Sequence, residues 1–142
     1  MSIPIAISGT DLIGQARTGT GKTLAFGVSA LQRIVLPGDE GCTQSGSRLP
    51  QALVMCPTRE LALQVSRDID TAARVRGARV LTVYGGVGYD SQIDALQRGV
   101  DVVVGTPGRL LDLVGRRDLN LTSCSIVVLD EADEMLDLGF LP

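Results

Sequence analysis

Two stretches decide what kind of sheet this chain can build. Val102-Val103-Val104 and Ile126-Val127-Val128-Leu129 run without a polar residue. A strand with one wet face alternates apolar and polar side chains. An unbroken β-branched run needs cover on both faces, which is the situation of strands in a parallel sheet between helices. Three more short apolar runs, residues 11–15, 51–56 and 79–84, make a set of five with 100–105 and 125–129. Between them the period changes. Leu61, Ala62, Val65, Ile69, Ala72 and Ala73 recur every three or four positions, the stripe of an amphipathic helix, and Leu24, Val28, Leu31 and Val35 mark another. A shorter helix is expected over 90–97, and one more starting near Pro107. Such alternation reads as a parallel α/β fold with right-handed crossovers. Residues 36–50 are rich in Gly, Ser and Pro and lack a hydrophobic period, so they read as a mobile surface loop within one domain.

Composition narrows the function. A length of 142 residues suits one domain with a single core, and 44% hydrophobic against 20% charged residues excludes a disordered chain. A net charge of −3 argues against holding nucleic acid by a diffuse basic field, though not against contacts from a few Arg side chains and helix N-termini. The absence of His removes imidazole acid–base chemistry and most zinc sites. Cys42, Cys56 and Cys124 are odd in number and widely spaced, as expected of reduced thiols in a cytoplasmic protein. No apolar run approaches the ~20 residues of a membrane span, and no basic-then-apolar export signal opens the chain.

Ala16-Arg17-Thr18-Gly19-Thr20-Gly21-Lys22-Thr23 follows the first apolar run and precedes a helical stripe. In that context the pattern is a P-loop. Gly19 and Gly21 let the backbone approach phosphate oxygens, and successive N–H groups with the helix N-terminus form an anion cradle. Lys22 supplies charge toward the β- and γ-phosphates of a nucleoside triphosphate, and the Thr23 hydroxyl suits Mg²⁺. Ala16 stands where the strict pattern has Gly. Such a site also needs a carboxylate for the metal and a group to activate water. Asp130-Glu131-Ala132-Asp133 comes directly after the most hydrophobic run. Asp130 is assigned to Mg²⁺ and Glu131 to the attacking water; simple capping of a following helix by Asp130 would not call for three acids.

Taken together, these residues resemble the DEAD-box RNA helicases. Asp130-Glu131-Ala132-Asp133 spells the motif that names that family. Pro57-Thr58-Arg59-Glu60-Leu61-Ala62, Gly85-Gly86 and Thr106-Pro107-Gly108-Arg109 resemble its RNA-contact motifs, in the family's order. Met135-Leu136-Asp137-Leu138-Gly139-Phe140 resembles the continuation of its acidic motif. The resemblance implies a three-layer, RecA-like P-loop domain that uses ATP and Mg²⁺ to couple hydrolysis to RNA binding and local duplex opening. It also implies that Thr58, Arg59, Gly86, Thr106, Gly108 and Arg109 line a track for the RNA sugar–phosphate backbone, without reading base sequence, and that Asp133 serves interdomain coupling. Each motif has a plainer reading too. Thr58 and Thr106 can be N-caps, Pro107 a first-turn residue and Gly85-Gly86 a turn. Arg74, Arg76, Arg116 and Arg117 read as solvated surface charge.

Against the family pattern, residues 1–142 correspond to a first RecA-like domain truncated at both ends. The adenine-reading segment falls before Met1, a Ser-Ala-Thr motif falls beyond Pro142, and the second RecA-like domain with its arginine finger is a separate expected partner. A competing reading is a non-catalytic nucleotide- or RNA-binding fragment. Another P-loop class, such as a kinase, would leave Thr106-Pro107-Gly108-Arg109 unexplained. The strand implied to lie between those of the P-loop and the acidic motif would be missing, exposing unpaired backbone groups. Residues 1–142 expressed alone are therefore expected to aggregate or melt without cooperativity; a single cooperative thermal transition from a soluble monomer contradicts this.

Overall fold

A computed structural model describes residues 27, 31–36 and 48–129. The 11–15 run, the P-loop and the acidic motif from Asp130 onward lie outside them. Within them, strands and helices alternate as β1 (Ala52–Met55), α1 (Arg59–Ala73), β2 (Val80–Val83), α2 (Asp90–Arg98), β3 (Val102–Gly105), α3 (Pro107–Gly115) and β4 (Ile126–Leu129). The strands form one sheet in the order β2-β3-β1-β4, every neighbouring pair parallel.

The two faces of the sheet follow from the strand period of two. Ala52, Val54, Val102, Val104 and Val128 point to one face, where Ala62, Val65, Ile69 and Ala73 of α1 meet them together with Leu31, Ile34 and Leu36. This is the helix stripe read from the sequence. Residues 27 and 31–33 are helical, and a Cβ on Gly27 would stand 3.2 Å from Ile69 Cγ1, so that helix lies close against α1. Leu53, Val83 and Val103 point to the other face, under Leu110 and Leu113 of α3, Leu119, and the partly buried Ile93 and Leu96 of α2. Ile69 and Leu113, both fully buried, are the largest such side chains, one on each side. Burial of each contributes about 1.5–3 kcal/mol.

Two expectations need correction. Val102, Val103 and Val104 are covered on both faces as the unbroken run required, but Val127 is 52% exposed. It pairs in register with Leu53 at the end of the described sheet, beyond the reach of α2 and α3. Arg76 is not simply solvated: its guanidinium donates to the carbonyls of Leu31 and Ile34 (3.1 Å to the latter), orphan acceptors at a helix end. Of the 36–50 segment expected to be a mobile loop, residues 37–47 lie outside the described residues; at its margins Leu36 and Pro50 are buried and Arg48 is held by Asp101.

Arg48 is held by Asp101, a fully buried residue just before β3. The Asp101 carboxylate accepts from Arg48 Nε and Nη2 at 2.8 and 2.6 Å and from the Arg79 backbone N–H at 2.7 Å. Its backbone carbonyl accepts from the N–H groups of Gln51 and Ala52, and its own N–H donates to Arg79. The hydrogen bond to Asp101 pushes the Arg48 guanidinium pKa up, in spite of its burial. Gln51 adds a second clip, its amide exchanging two hydrogen bonds with the backbone of Val35 at 2.9 and 2.6 Å. Removing one partner of a buried, hydrogen-bonded ion pair strands the other. Arg48→Ala is expected to cost roughly 3 kcal/mol, read as a lowered denaturation midpoint in urea; a change below about 0.5 kcal/mol would mean that the pair is as weak as a surface bridge.

Candidate functional site

Val83, Gly105, Met55 and Leu129 are partners across the sheet, so all four strands end at the same register position. Everything that leaves β2, β3 and β1 therefore emerges on one edge. Those departures are the Gly85-Gly86 turn, the Thr106–Arg109 segment and the Thr58-Arg59 segment. β4 ends on the same level at Leu129, the residue before Asp130.

The turn from β1 into α1 is set by Thr58. Its backbone is extended (φ −127°, ψ 154°), and its hydroxyl accepts from the Leu61 N–H at 3.2 Å. This is the N-cap reading, with Glu60 placed favourably in the first turn. The turn from β3 into α3 is built differently. Thr106 is also extended, and Pro107 opens the helix with its fixed φ, but Thr106 makes no side-chain cap. The Thr106 N–H instead donates to the Val83 carbonyl at 3.1 Å. Gly105 is required here: a Cβ on it would lie 2.4 Å from Val83 Cγ2 and 3.0 Å from Leu110 Cγ. Gly108 is exposed with open space around it, so the first turn of α3, which has no side-chain cap, meets solvent there, while Pro107, Arg109 and Leu110 of the same turn are buried. Free N–H groups at a helix start attract anions.

Arg59 and Gly86 are brought together. The exposed Arg59 guanidinium lies over the Tyr84 ring at 4.7 Å, and its Nη1 is 3.9 Å from where a Gly86 Cβ would sit. Gly86 itself has φ +85°, a conformation that costs other residues about 1–2 kcal/mol. Arg109 behaves otherwise. It is only 9% exposed, and its guanidinium donates to Gln92 Oε1 at 3.1 Å and to the Val87 carbonyl at 2.8 Å. Gln92, also buried, returns a hydrogen bond to the Tyr84 carbonyl at 3.3 Å. The Arg109 guanidinium thus reaches back to hold the glycine turn. Both of its acceptors are neutral, and no described carboxylate pairs with Arg109 or Arg59.

Tyr89 stacks against Arg109 at 4.0 Å and against Arg116 at 4.2 Å, and its hydroxyl donates to Asp112. That hydrogen bond, aided by desolvation, pushes the phenol above its ordinary pKa. Arg116 also pairs with Asp118 at 3.0 Å. Arg116 is therefore more than solvated charge, whereas Arg74 bridges the exposed Asp70 as a surface residue would. Tyr89, Gln92 and Asp112 were not singled out in the sequence. A signal was available for Arg109: with Leu110 and Leu113 buried on the same helix, the period of α3 turns Arg109 inward and demands a polar partner.

Ala16, Arg17, Thr18, Gly19, Thr20, Gly21, Lys22, Thr23, Asp130, Glu131 and Asp133 lie outside the described residues. Among the described ones, no cluster of acids and cysteines has the geometry to hold a metal, and no helix is long and apolar enough to cross a membrane.

Residues 1–142 match the family model of the DEAD/DEAH box helicases. The ATP-dependent RNA helicase RhlB of Yersinia pestis (strain Pestoides F) is 46% identical over 142 residues, covering 99% of this chain and 32% of that protein. Its counterpart in Yersinia pseudotuberculosis serotype O:1b shows the same identity and coverage. Among solved structures, a DEAD box protein from Methanococcus jannaschii superposes with a TM-score of 0.83 at 37% identity, over 99% of this chain and 36% of that one. A hypothetical ATP-dependent RNA helicase from Sulfolobus tokodaii gives 0.80 at 39% identity, over 98% and 37%. The chain spans about a third of the length of the relatives it matches.

The two arginines should separate on substitution. Arg109→Ala leaves Gln92 and the Val87 carbonyl without their donor and is expected to cost roughly 2–3 kcal/mol, while Arg59→Ala loses only an exposed stack worth about 0.5–1 kcal/mol. Thermal midpoints of the two variants check the order; equal shifts would contradict the burial of Arg109.

Proposed function

This chain belongs to the DEAD/DEAH box helicase family, and we propose that it forms the ATP-binding, first RecA-like domain of an RNA-dependent ATP hydrolase acting in the cytoplasm. The observation that carries the RNA half of this reading is the level edge. An outward-facing helix start at Thr106 and Gly108, a second helix start at Thr58 and the Gly86 turn stand on adjacent strand ends. With strands ~4.8 Å apart, they offer a short, sequence-blind run of donors suited to the sugar–phosphate backbone. Arg59 supplies an exposed charge there, and Arg109 acts on RNA through the turn it holds.

Nucleotide would sit on Ala16 to Thr23, with the backbone N–H groups and Lys22 on its phosphates. The Thr23 hydroxyl and Asp130 carboxylate are hard oxygen donors of the kind Mg²⁺ takes, and the ion when bound would neutralise charge on the terminal phosphates. Glu131 would accept the proton of the attacking water. Asp133 would communicate with the second RecA-like domain, which closes over RNA and ATP and supplies further charge to the transition state. β4, which precedes Asp130 in sequence, ends level with β1, which leads to Thr58. The RhlB relatives are ATP-dependent RNA helicases, which supports the same activity for the intact protein.

In the intact protein that carries this chain, RNA-stimulated phosphate release should fall by about 10²-fold or more in Glu131→Gln, and be lost in Lys22→Ala. A protein that binds ATP and RNA yet releases no phosphate under any RNA load would overturn this reading in favour of a non-catalytic binding module.

A further inference from the structure

The 85–88 turn is three parts glycine, and glycine surrenders the most backbone freedom when fixed in one conformation. Val87, its one side chain, is 37% exposed and does little to anchor it. Something else has to hold Gly86 at φ +85°. From within the chain segment, Gln92 reaches the Tyr84 carbonyl before the turn. From α3, Arg109 reaches the Val87 carbonyl inside the turn. After the turn comes Tyr89, which opens α2 without capping it. Two guanidinium groups, those of Arg109 and Arg116, stack on its ring, and its hydroxyl donates to Asp112. Arg109, Asp112 and Arg116 are spaced to share one side of a helix, so Tyr89 lies along α3 like a peg between rungs. The stack also touches Arg109 itself, and so bears on the group that holds Val87.

We propose that Tyr89 is a positioning residue: clasped by Arg109, Asp112 and Arg116, it fixes the turn that presents Gly86 to the RNA backbone. This rests on the RNA track assigned above, and it adds a reason why the track is ready before RNA arrives. A turn already ordered spends no binding free energy on ordering. The Arg116 guanidinium supplies the outer face of the clasp and is itself steadied by Asp118 at 3.0 Å. Tyr89 makes no contact with RNA in this scheme. Its effect passes through the turn.

Two measurements on the intact protein test it. Amide hydrogen exchange at residues 85–88 is expected to accelerate roughly tenfold in Tyr89→Ala and in Arg116→Ala, with β1, β2 and β3 protected as before. Tyr89→Phe, which keeps the stack and loses only the tether to Asp112, should restore most of the protection. Alongside this, the RNA concentration giving half-maximal stimulation of phosphate release should rise roughly tenfold in Tyr89→Ala and recover in Tyr89→Phe, while the rate at saturating RNA is retained. Arg116→Ala keeps the test decisive should Tyr89→Ala fail to fold, because Arg116 is exposed. Unchanged exchange in the turn overturns the proposal, as does a fall in maximal rate with an unchanged RNA requirement. If RNA does not stimulate the unsubstituted protein, the track assignment fails by itself, and the role of Tyr89 in presenting Gly86 to RNA fails with it.

Discussion

The buried carboxylate of Asp101 is the interaction on which the rest of the described structure depends. Parallel strands have no hairpin turn to set their register, so something at the starting edge must do it. Asp101 does so by bonding the starts of β1 and β2 at once, through its backbone to Gln51, Ala52 and Arg79 and through its side chain to the Arg79 N–H. A slip of one residue would turn Val103 out of its cluster and unpair these groups together. Because the starting edge is level, the far edge is level too. The spatial agreement of three separate loops is thus decided at the opposite end of the strands.

At the far edge the means of control change from buried charge to close approach. Gly105 admits the Val83 strand end and Leu110 so tightly that no side chain fits. This draws the β3–α3 turn in beside the end of β2. Arg109 can then span from α3 to the Val87 carbonyl, and Tyr89 can lie along α3. The two hydrogen bonds of the buried Arg109 guanidinium are the stronger part of this hold, and the stack on the partly exposed Tyr89 ring the weaker. Polar contacts thus extend the hold beyond the Val83 and Leu110 packing, out to the glycine turn.

Much of this was legible in the sequence, and the gaps have physical causes. Val102-Val103-Val104 announced a buried parallel strand because β-branched side chains without polar alternation leave no other option. The Leu61-to-Ala73 stripe announced α1, and Ala62, Val65, Ile69 and Ala73 are buried accordingly. The same unbroken pattern misled for Val127, since a run of β-branched residues cannot say whether its strand sits mid-sheet or at the limit of its covering helices. Asp101 passed unnoticed because one acid beside an apolar run looks like a strand boundary. Its partners, Arg48 and Arg79, are 53 and 22 residues away in sequence. Thr58 and Thr106 were both legible as N-cap positions, with Pro107 opening the second helix, but only the Thr58 hydroxyl makes the side-chain bond. Local pattern names the residues that matter; only tertiary contact says which atoms they use.

Among the described residues, Arg59 and Arg109 have no carboxylate partner, at the edge of a chain whose net charge is −3. The consequence is kinetic. Beyond a screening length of about 8 Å, a polyanion meets a mildly repulsive body and receives no pull toward the edge. Inside that distance the exposed Arg59 guanidinium and two helix starts stand together on one edge. From this segment, then, long-range attraction adds nothing to encounter, and its contribution is confined to contact. Such a surface discriminates by shape at contact and spends little time on polyanions that present the wrong one.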